Sequence, residues 1–311
     1  MPAATRLALV LGAAGGAALT AHAALYTLTF PIQGTAINAT NVIGAWGSSA
    51  TAVNLSSGTQ TALGGVPTGT IDAGQYNDQF TMYLDNGGIL RVISNANGNS
   101  AGQFSVGDAF GVSGALNVGG TMYAIVVGTT SGIRALNLQN GQLTPIAGTY
   151  NFTNATGLDA LMRPGGTVLG DILVGILRNP SFQDNVLTLY AAGSALQSFN
   201  SAFINGGYDG NMGDFSFNAG ANALWFGTDE GTLFDRALDF SLYAVAPPTV
   251  SVSATNGSVA VSWTGRTLEA SGALTNWVPV ATAPGTGTQL LPPPPYTEPT
   301  TNTARFFRAR W

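Results

Sequence analysis

The sequence predicts an all-β protein: a large, jelly-roll-like β-sandwich domain followed by a small β-sandwich module. Three observations support this prediction. Short apolar or alternating runs recur along the chain, Gly and Asn-Gly pairs separate them, and hardly any segment has helical periodicity over the length of a helix. Because 45% of the 311 residues are hydrophobic, we expect these strands to bury a substantial core.

Eight runs of the large domain are predicted as strands. They span residues 25–30, 79–84, 89–94, 122–128, 133–138, 186–191, 224–227 and 237–245. Asn86-Gly87 and Asn140-Gly141 lie between apolar runs and tolerate the positive φ that tight hairpin turns require. Short helical turns are predicted at 158–162 and 194–203.

A β-propeller is the alternative fold for the large domain. The strings AIVVGTTSGIRAL (124–136) and LWFGTDEGTLFDR (224–236) share the order strand, Gly-Thr, polar turn, Gly, strand. This order resembles one blade hairpin of a quinoprotein-type propeller. The sequence shows no copy between them at a blade period of roughly 40 to 50 residues, so the sandwich is preferred.

A domain boundary is predicted at Ala246-Pro247-Pro248, which separates a large domain (24–246) from a module (247–311). Residues 250–263, VSVSATNGSVAVSW, alternate in the manner of a hairpin with Asn256-Gly257 as its turn. Further strands are predicted at 267–270, 277–281 and 305–310. The regular spacing of these strands favours two packed sheets.

Three strings of this module carry a family resemblance: VSVSATNGSVAVSW, LEASGALTNWVPVATA and PPYTEPTTNTARFFRARW. They resemble the truncated fibronectin type III or immunoglobulin-like module that ends many secreted proteins of the Verrucomicrobia and related bacteria. The resemblance covers the last fifth of the chain. It implies a small β-sandwich and a secreted, multi-module protein, and it implies no activity.

Residues 1–23 are predicted to be a secretory signal peptide. Arg6 supplies the basic start, a stretch of Leu, Ala, Val and Gly follows, and Ala21-His22-Ala23 has the form of a cleavage site. We therefore expect a secreted protein, located outside the cell, on its surface or in the periplasm. No later run is long and apolar enough for a transmembrane helix.

Composition excludes several chemistries. Residues 24–311 contain nine Arg against fifteen acidic residues, a formal charge of 9 − 15 = −6, and they contain no Lys, His or Cys. Ser/His and Cys/His catalysis, lysine Schiff bases, thiolate or imidazole metal sites and Walker-type phosphate loops are therefore ruled out. The acidic balance also disfavours nucleic acid as a partner. Strand edges without Lys predict some self-association.

Four carboxylates near the end of the large domain are weak catalytic candidates: Asp229, Glu230, Asp235 and Asp239. Two carboxylates roughly 5 to 10 Å apart can hydrolyse a glycoside as acid and base or nucleophile. A solvated turn at Asp229-Glu230-Gly231 explains the same residues without chemistry. No catalytic function is predicted from them.

Two further sites are predicted from residue type. Asp209, Asn211 and Asp214, in YDGNMGD, could bind calcium, although calcium takes six to eight oxygens and this loop departs from the EF-hand pattern. A plain Gly/Asn turn is the alternative for that loop. Trp46, flanked by small residues in GAWG, could stack on a sugar face, and core packing is its alternative.

The sequence therefore predicts a non-catalytic extracellular or cell-surface protein with an adhesive, matrix or envelope-structural role. Glycans or envelope and matrix proteins are its expected partners. The alternative is a secreted protein that binds or cleaves carbohydrate.

Overall fold

The computed structural model describes residues 25–181, 184–205, 210–245, 250–255, 258–263, 267–271, 278–282, 296–299 and 306–310. The chain is all-β, as predicted, with one short helix and three 3₁₀ turns among these residues. In the described part of the chain, no helix is long and apolar enough to cross a membrane.

Residues 25–245 form five antiparallel sheets of four strands each, here called blades 1 to 5. Blade 1 contains β2 (Gly34–Ile37), β3 (Asn41–Trp46), β4 (Ser49–Asn54) and β5 (Gln60–Ala62). Blade 2 contains β6 (Thr70–Asn77), β7 (Phe80–Asp85), β8 (Ile89–Ser94) and β9 (Ser100–Ser105). Blade 3 contains β10 (Ala109–Val118), β11 (Thr121–Gly128), β12 (Gly132–Asn137) and β13 (Leu143–Pro145).

The last two blades differ from the first three in their connections. Blade 4 contains β14 (Ala155–Met162), β15 (Ile172–Arg178), β16 (Val186–Ala191) and β17 (Ser194–Phe199), followed by α1 (Ser201–Ile204). Blade 5 contains β18 (Met212–Asn218), β19 (Ala223–Thr228) and β20 (Thr232–Ala237). Its fourth strand is β1 (Leu25–Thr27), which pairs with β20 and joins the two ends of the ring.

The blades are arranged as a five-bladed β-propeller, which is the alternative fold and not the preferred sandwich. The first strand of each blade, β2, β6, β10, β14 or β18, packs against the first strands of both neighbouring blades. These five inner strands therefore surround a common axis. The sandwich prediction is wrong because the sheets pack radially, each between two neighbours, and do not stack as one pair.

The hydrophobic core is divided among the blade interfaces. Five apolar clusters each combine side chains from two adjacent blades. Leu84 of blade 2 and Val126 of blade 3 belong to one such cluster, and Ile32, which precedes blade 1, joins Trp225 of blade 5 in another. Both faces of most blades are thus buried, so apolar burial stabilises the ring as a whole.

Close approach of the inner strands depends on small residues. An added Cβ at Gly34 of β2 would lie 2.5 Å from the backbone nitrogen of Ala73 in β6 and 2.7 Å from the carbonyl carbon of Asp72. Real Cβ atoms do not approach backbone atoms so closely. Glycine at this position therefore sets the spacing between blades 1 and 2.

Residues 250–310 contain two three-stranded antiparallel sheets. One has the order β21 (Val250–Thr255), β22 (Ser258–Trp263) and β25 (Tyr296–Pro299). The other has the order β24 (Val278–Thr282), β23 (Thr267–Ser271) and β26 (Phe306–Arg310). The strands predicted in this module are present within a residue or two, and β21 pairs with β22 as expected. The fibronectin-like assignment stays a prediction.

Two element predictions in the large domain are wrong, and a third is right only in its last residues. Residues 158–162 form part of strand β14, not a helical turn, because buried residues on both of its faces hide the alternation of a strand. Residues 194–203 form β17 and the start of α1. The strand predicted at 237–245 is wrong, because β20 ends at Ala237 and residues 240–243 form a 3₁₀ turn, capped by the Asp239 side chain, with Phe240 and Tyr243 buried.

The packing at Gly34 gives a stability prediction. We expect Gly34→Ala to lower the free energy of unfolding by about 1 to 3 kcal/mol, because the backbones of β2 and β6 must separate to admit the methyl group. Gly102→Ala in the outer strand β9 is the matched control, since its Cβ would meet no atom within 4 Å. Urea titration of both variants measures the difference. Equal stabilities would contradict the close-packed axis.

Candidate functional site

One residue from each inner strand forms a buried polar ring around the axis. Its members are Thr35, Asp72, Ser113, Asp159 and Asp214. An inner strand is the free edge of its sheet, so its axial backbone N–H groups lack a partner strand. Buried N–H groups require acceptors, and the ring carboxylates supply several of them.

Asp214 connects blade 5 to blade 1. Its Oδ2 accepts hydrogen bonds from the Thr35 backbone N–H at 2.6 Å and from the Thr35 hydroxyl at 2.9 Å. The Ser216 hydroxyl lies 3.0 Å from the Thr35 hydroxyl and donates to the Thr35 carbonyl at 2.8 Å. These bonds link two strands that lie about 180 residues apart in sequence.

Asp72 connects blade 2 to blade 3. Its Oδ2 accepts from the Val112 backbone N–H at 2.7 Å, and its Oδ1 accepts from Ala73 at 2.7 Å. Burial raises the pKa of Asp72 and of Asp214 well above the usual aspartate value, and the charge of Asp214 raises the pKa of Asp72 further. The carboxyl groups of Asp72 and Asp214 therefore interact with each other at the axis.

Asp159 connects blade 4 to both of its neighbours. Its Oδ1 accepts from the N–H groups of Gly114 at 3.0 Å and Ala160 at 2.8 Å, and its Oδ2 accepts from that of Phe217 at 2.7 Å. Burial raises the pKa of Asp159 to about 7, although the three N–H donors act in the opposite direction. This carboxyl group therefore titrates near neutral pH and not in the acidic range usual for an aspartate.

An axial pocket of about 210 Å³ opens beside Asp159, at the carboxyl end of the inner strands. All five inner strands line it, through Ile37 of β2, Gln75 and Tyr76 of β6, Leu116 of β10, Asp159 of β14, and Ser216 and Phe217 of β18. Among the residues that the structure describes, Asp159 is the one carboxyl group that lines the pocket, and no cationic side chain lines it. The pocket thus combines apolar walls with a few hydrogen-bonding groups, which is the usual character of a small-molecule site.

The four carboxylates named as weak catalytic candidates do not line this pocket. Asp229 and Glu230 occupy the turn between β19 and β20, and Asp239 follows the other end of β20. A six-residue strand separates these two ends by roughly 20 Å. Asp229 accepts a hydrogen bond from Asn211 at 3.2 Å, Asp235 lies within β20, and Asp239 caps the N–H of Ser241. The set as a whole does not converge.

The predicted calcium ligands are also dispersed. Asp209 lies outside the described residues. The Asn211 side chain contacts Asn179 at 2.6 Å and Asp229, whereas the Asp214 carboxyl group points into the ring. Across the ranges that the structure describes, no three His, Cys, Asp or Glu side chains come together as a metal site.

Trp46 is 45% exposed at the end of β3, whereas Trp225 is buried. Trp46 lies at the opposite face of the ring from the axial pocket, because β3 runs antiparallel to β2 and the pocket is at the Ile37 end of β2. An aromatic platform at Trp46 would therefore be a separate surface.

Sequence reasoning did not find Asp72 and Asp159. Each lies within an apolar string, TIDAG or GLDAL, where an unpaired charge would be costly. That pattern is a signal for a buried, hydrogen-bonded acid. It recurs as MGDFSF at Asp214, which the calcium hypothesis assigned to a loop.

Comparison with protein-family models gives no match, and a search of curated proteins gives no relative. The site is therefore interpreted from its own geometry.

The raised pKa values predict that stability falls as pH rises. A carboxyl group with a raised pKa contributes stability that is complete below the unfolded pKa of about 3.9 and is lost as pH rises through the folded pKa. We expect the melting temperature to decrease from pH 5 to pH 8, because the free energy of unfolding falls by up to about 1.4 kcal/mol per pH unit for each proton.

Two variants test the source of this slope. Asp159→Asn cannot ionise, so its melting temperature should depend less on pH, whereas Asp78→Asn, on an exposed turn, should retain the slope of the unmodified protein. Asp108 does not interfere, because hydrogen bonds from Ser131 and its neighbours lower its pKa and confine its effect to acidic pH. An unchanged slope in Asp159→Asn would exclude Asp159 as its source.

Proposed function

We propose that this protein is a non-catalytic binding protein that acts outside the cell, and that its propeller holds a small chemical group of a larger partner in the axial pocket. The main observation in support is that all five inner strands line this pocket and that Asp159 is the one carboxyl group among its described lining residues. A rigid ring with such a pocket suits adhesion to glycans, matrix or envelope.

The distribution of acids supports binding over catalysis. Glycoside hydrolysis requires two carboxyl groups flanking the scissile bond. The carboxyl pair of the propeller, Asp72 and Asp214, is at most 1% exposed and engaged with backbone N–H groups of neighbouring blades. Asp159 lines the pocket, and no second acid among the described residues does so. A glycoside in the pocket would therefore contact one carboxyl group, where hydrolysis requires two.

The size of the pocket limits what it can hold. Its volume of about 210 Å³ is below the roughly 300 to 1,000 Å³ of pockets for drug-sized ligands. One sugar ring or one side chain of a partner fits this range better than an extended oligomer does. Carbohydrate binding, without cleavage, is therefore the most specific form of the proposal.

The extracellular location rests on the sequence. The expected signal peptide and the resemblance of the last 65 residues to a secreted module both point to export. A protein with no Lys or Cys after residue 23 has shape, polar groups, carboxylates and nine Arg side chains available for adhesion. A surface or envelope role is consistent with these features.

A glycan array tests the proposal with a variant that fills the pocket. Gly114 lines the pocket, and an added Cβ there would meet its nearest atom, the Gln75 carbonyl oxygen, at 3.6 Å, an ordinary contact. We expect residues 24–311 to bind at least one glycan class and Gly114→Leu to lose that binding by about tenfold or more, because its side chain occupies the site.

Gly102→Leu is the matched control, since its side chain would enter open space on the outer strand β9. Its binding should equal that of the unmodified protein, and chromatography of the bound glycan should show no cleavage products. Release of shorter sugars would contradict the non-catalytic assignment. Binding that survives Gly114→Leu but disappears in Trp46→Ala would move the site to the opposite face.

A further inference from the structure

The axial pocket contains a hydrogen-bond acceptor, the side-chain oxygen of Gln75, that no described residue satisfies. The Gln75 side-chain nitrogen donates to the Phe80 carbonyl at 3.1 Å, which leaves Gln75 Oε1 buried without a partner among the described residues. Asp159 contributes a carboxyl group to the same pocket. A buried acceptor without a donor costs free energy, so a ligand that brings donors is favoured here.

No cationic side chain of the described residues lies beside Asp159 and Gln75 in the pocket. None of the described Arg side chains lines the pocket, and the chain after residue 23 has no Lys or His. The formal charge of −6 for residues 24–311 adds a long-range attraction for positive ligands. Both the local and the overall electrostatics favour a ligand that carries positive charge.

Two aromatic residues complete the lining, Tyr76 from β6 and Phe217 from β18. Aromatic faces attract ammonium groups and also pack against the apolar faces of sugar rings. The pocket therefore presents, within the space of about one sugar ring, features suited to both a ring and a positive charge.

We propose that the axial pocket binds an amino sugar through its free ammonium group, with the carboxyl group of Asp159 and Oε1 of Gln75 as acceptors and Tyr76 and Phe217 beside the ring. This inference rests on the proposed binding function and specifies its ligand.

The protonation of Asp159 supports this ligand class. Burial holds its pKa near 7, so part of the population is neutral when the pocket is free. An ammonium group would stabilise the ionised form, because a charge-assisted hydrogen bond offsets desolvation of the carboxylate. A calcium ion fits less well, since it takes six to eight oxygen ligands and the pocket offers one carboxyl group.

Isothermal titration with three sugars of one shape tests the proposal: glucosamine, N-acetylglucosamine and glucose. They differ at one ring substituent, which is an ammonium, a neutral acetamide or a hydroxyl group. We expect residues 24–311 to bind glucosamine at least about tenfold more tightly than either neutral sugar, the difference expected for one charge-assisted contact. Added salt should reduce that preference.

Variants assign the preference to the pocket. Gln75→Leu and Asp159→Asn should each lower affinity for glucosamine by about fivefold to tenfold and bring it close to that for glucose. If Asp159→Asn unfolds, Gln75→Leu and Tyr76→Leu still test the site, because both residues line the pocket and are only half-buried. Tyr76→Phe should retain the affinity that Tyr76→Leu loses, since it keeps the ring. Gly102→Leu is the control that should bind as the unmodified protein does.

The outcomes separate this inference from the function on which it rests. Equal binding of glucose and glucosamine, abolished by Gly114→Leu, would overturn the ammonium proposal and leave the binding function intact. Absence of binding by all three sugars and by the glycan array would overturn both. Glucosamine binding that persists in Gly114→Leu would show general attraction to an acidic surface. Binding of a lysine-containing peptide but of no amino sugar would replace the glycan with a protein partner.

Discussion

The propeller depends on hydrogen bonds between carboxyl groups and backbone N–H groups at its axis. Each inner strand is the edge of a sheet, and its buried N–H groups need acceptors that no neighbouring strand provides. Asp72, Asp159 and Asp214 accept from Val112, Gly114, Phe217 and Thr35, and thereby connect blades 2 and 3, 3 and 4, 4 and 5, and 5 and 1. At the remaining interface, Gly47 and Thr70 exchange two backbone hydrogen bonds of 2.9 Å.

This use of acids for structure limits what the protein can do chemically. The chain has only fifteen acidic residues, and three of the most deeply buried ones hold the blades together. Their raised pKa values, which elsewhere indicate catalysis, here follow from burial between strands. Of these three residues, Asp159 is the one that also lines the pocket. Asp159 therefore affects both the stability of the ring and the electrostatics of the candidate site.

The sequence predicted the all-β class and most middle strands of the blades, because β8 and β16 have strong apolar runs. It did not predict the inner strands, whose Gly and Asp residues indicate turns in an isolated sequence. Their glycines allow the neighbouring blade to approach closely, and their acids accept hydrogen bonds from its N–H groups. Both roles depend on a neighbouring blade, so they cannot be recognised from one segment of sequence. The repeat was also obscured, since the ring residues at 35, 72, 113, 159 and 214 are spaced by 37, 41, 46 and 55 residues. The axial pocket could not be predicted either, because its lining residues come from five segments that are distant in sequence.

The pairing of β1 with β20 has a consequence for the order of events during synthesis. Tyr26 lies opposite Leu233, a separation of 233 − 26 = 207 residues, and the two strands meet after every other blade has been made. Chain synthesis proceeds at about 5 to 20 residues per second, so β1 is made roughly 10 to 40 seconds before its partner strand β20. During that interval the chain carries an unpaired strand at its start and an incomplete last blade. A chain that ends before Leu233 lacks the partner of β1 and cannot close the ring. A closed ring therefore contains a chain that has been synthesised through its fifth blade.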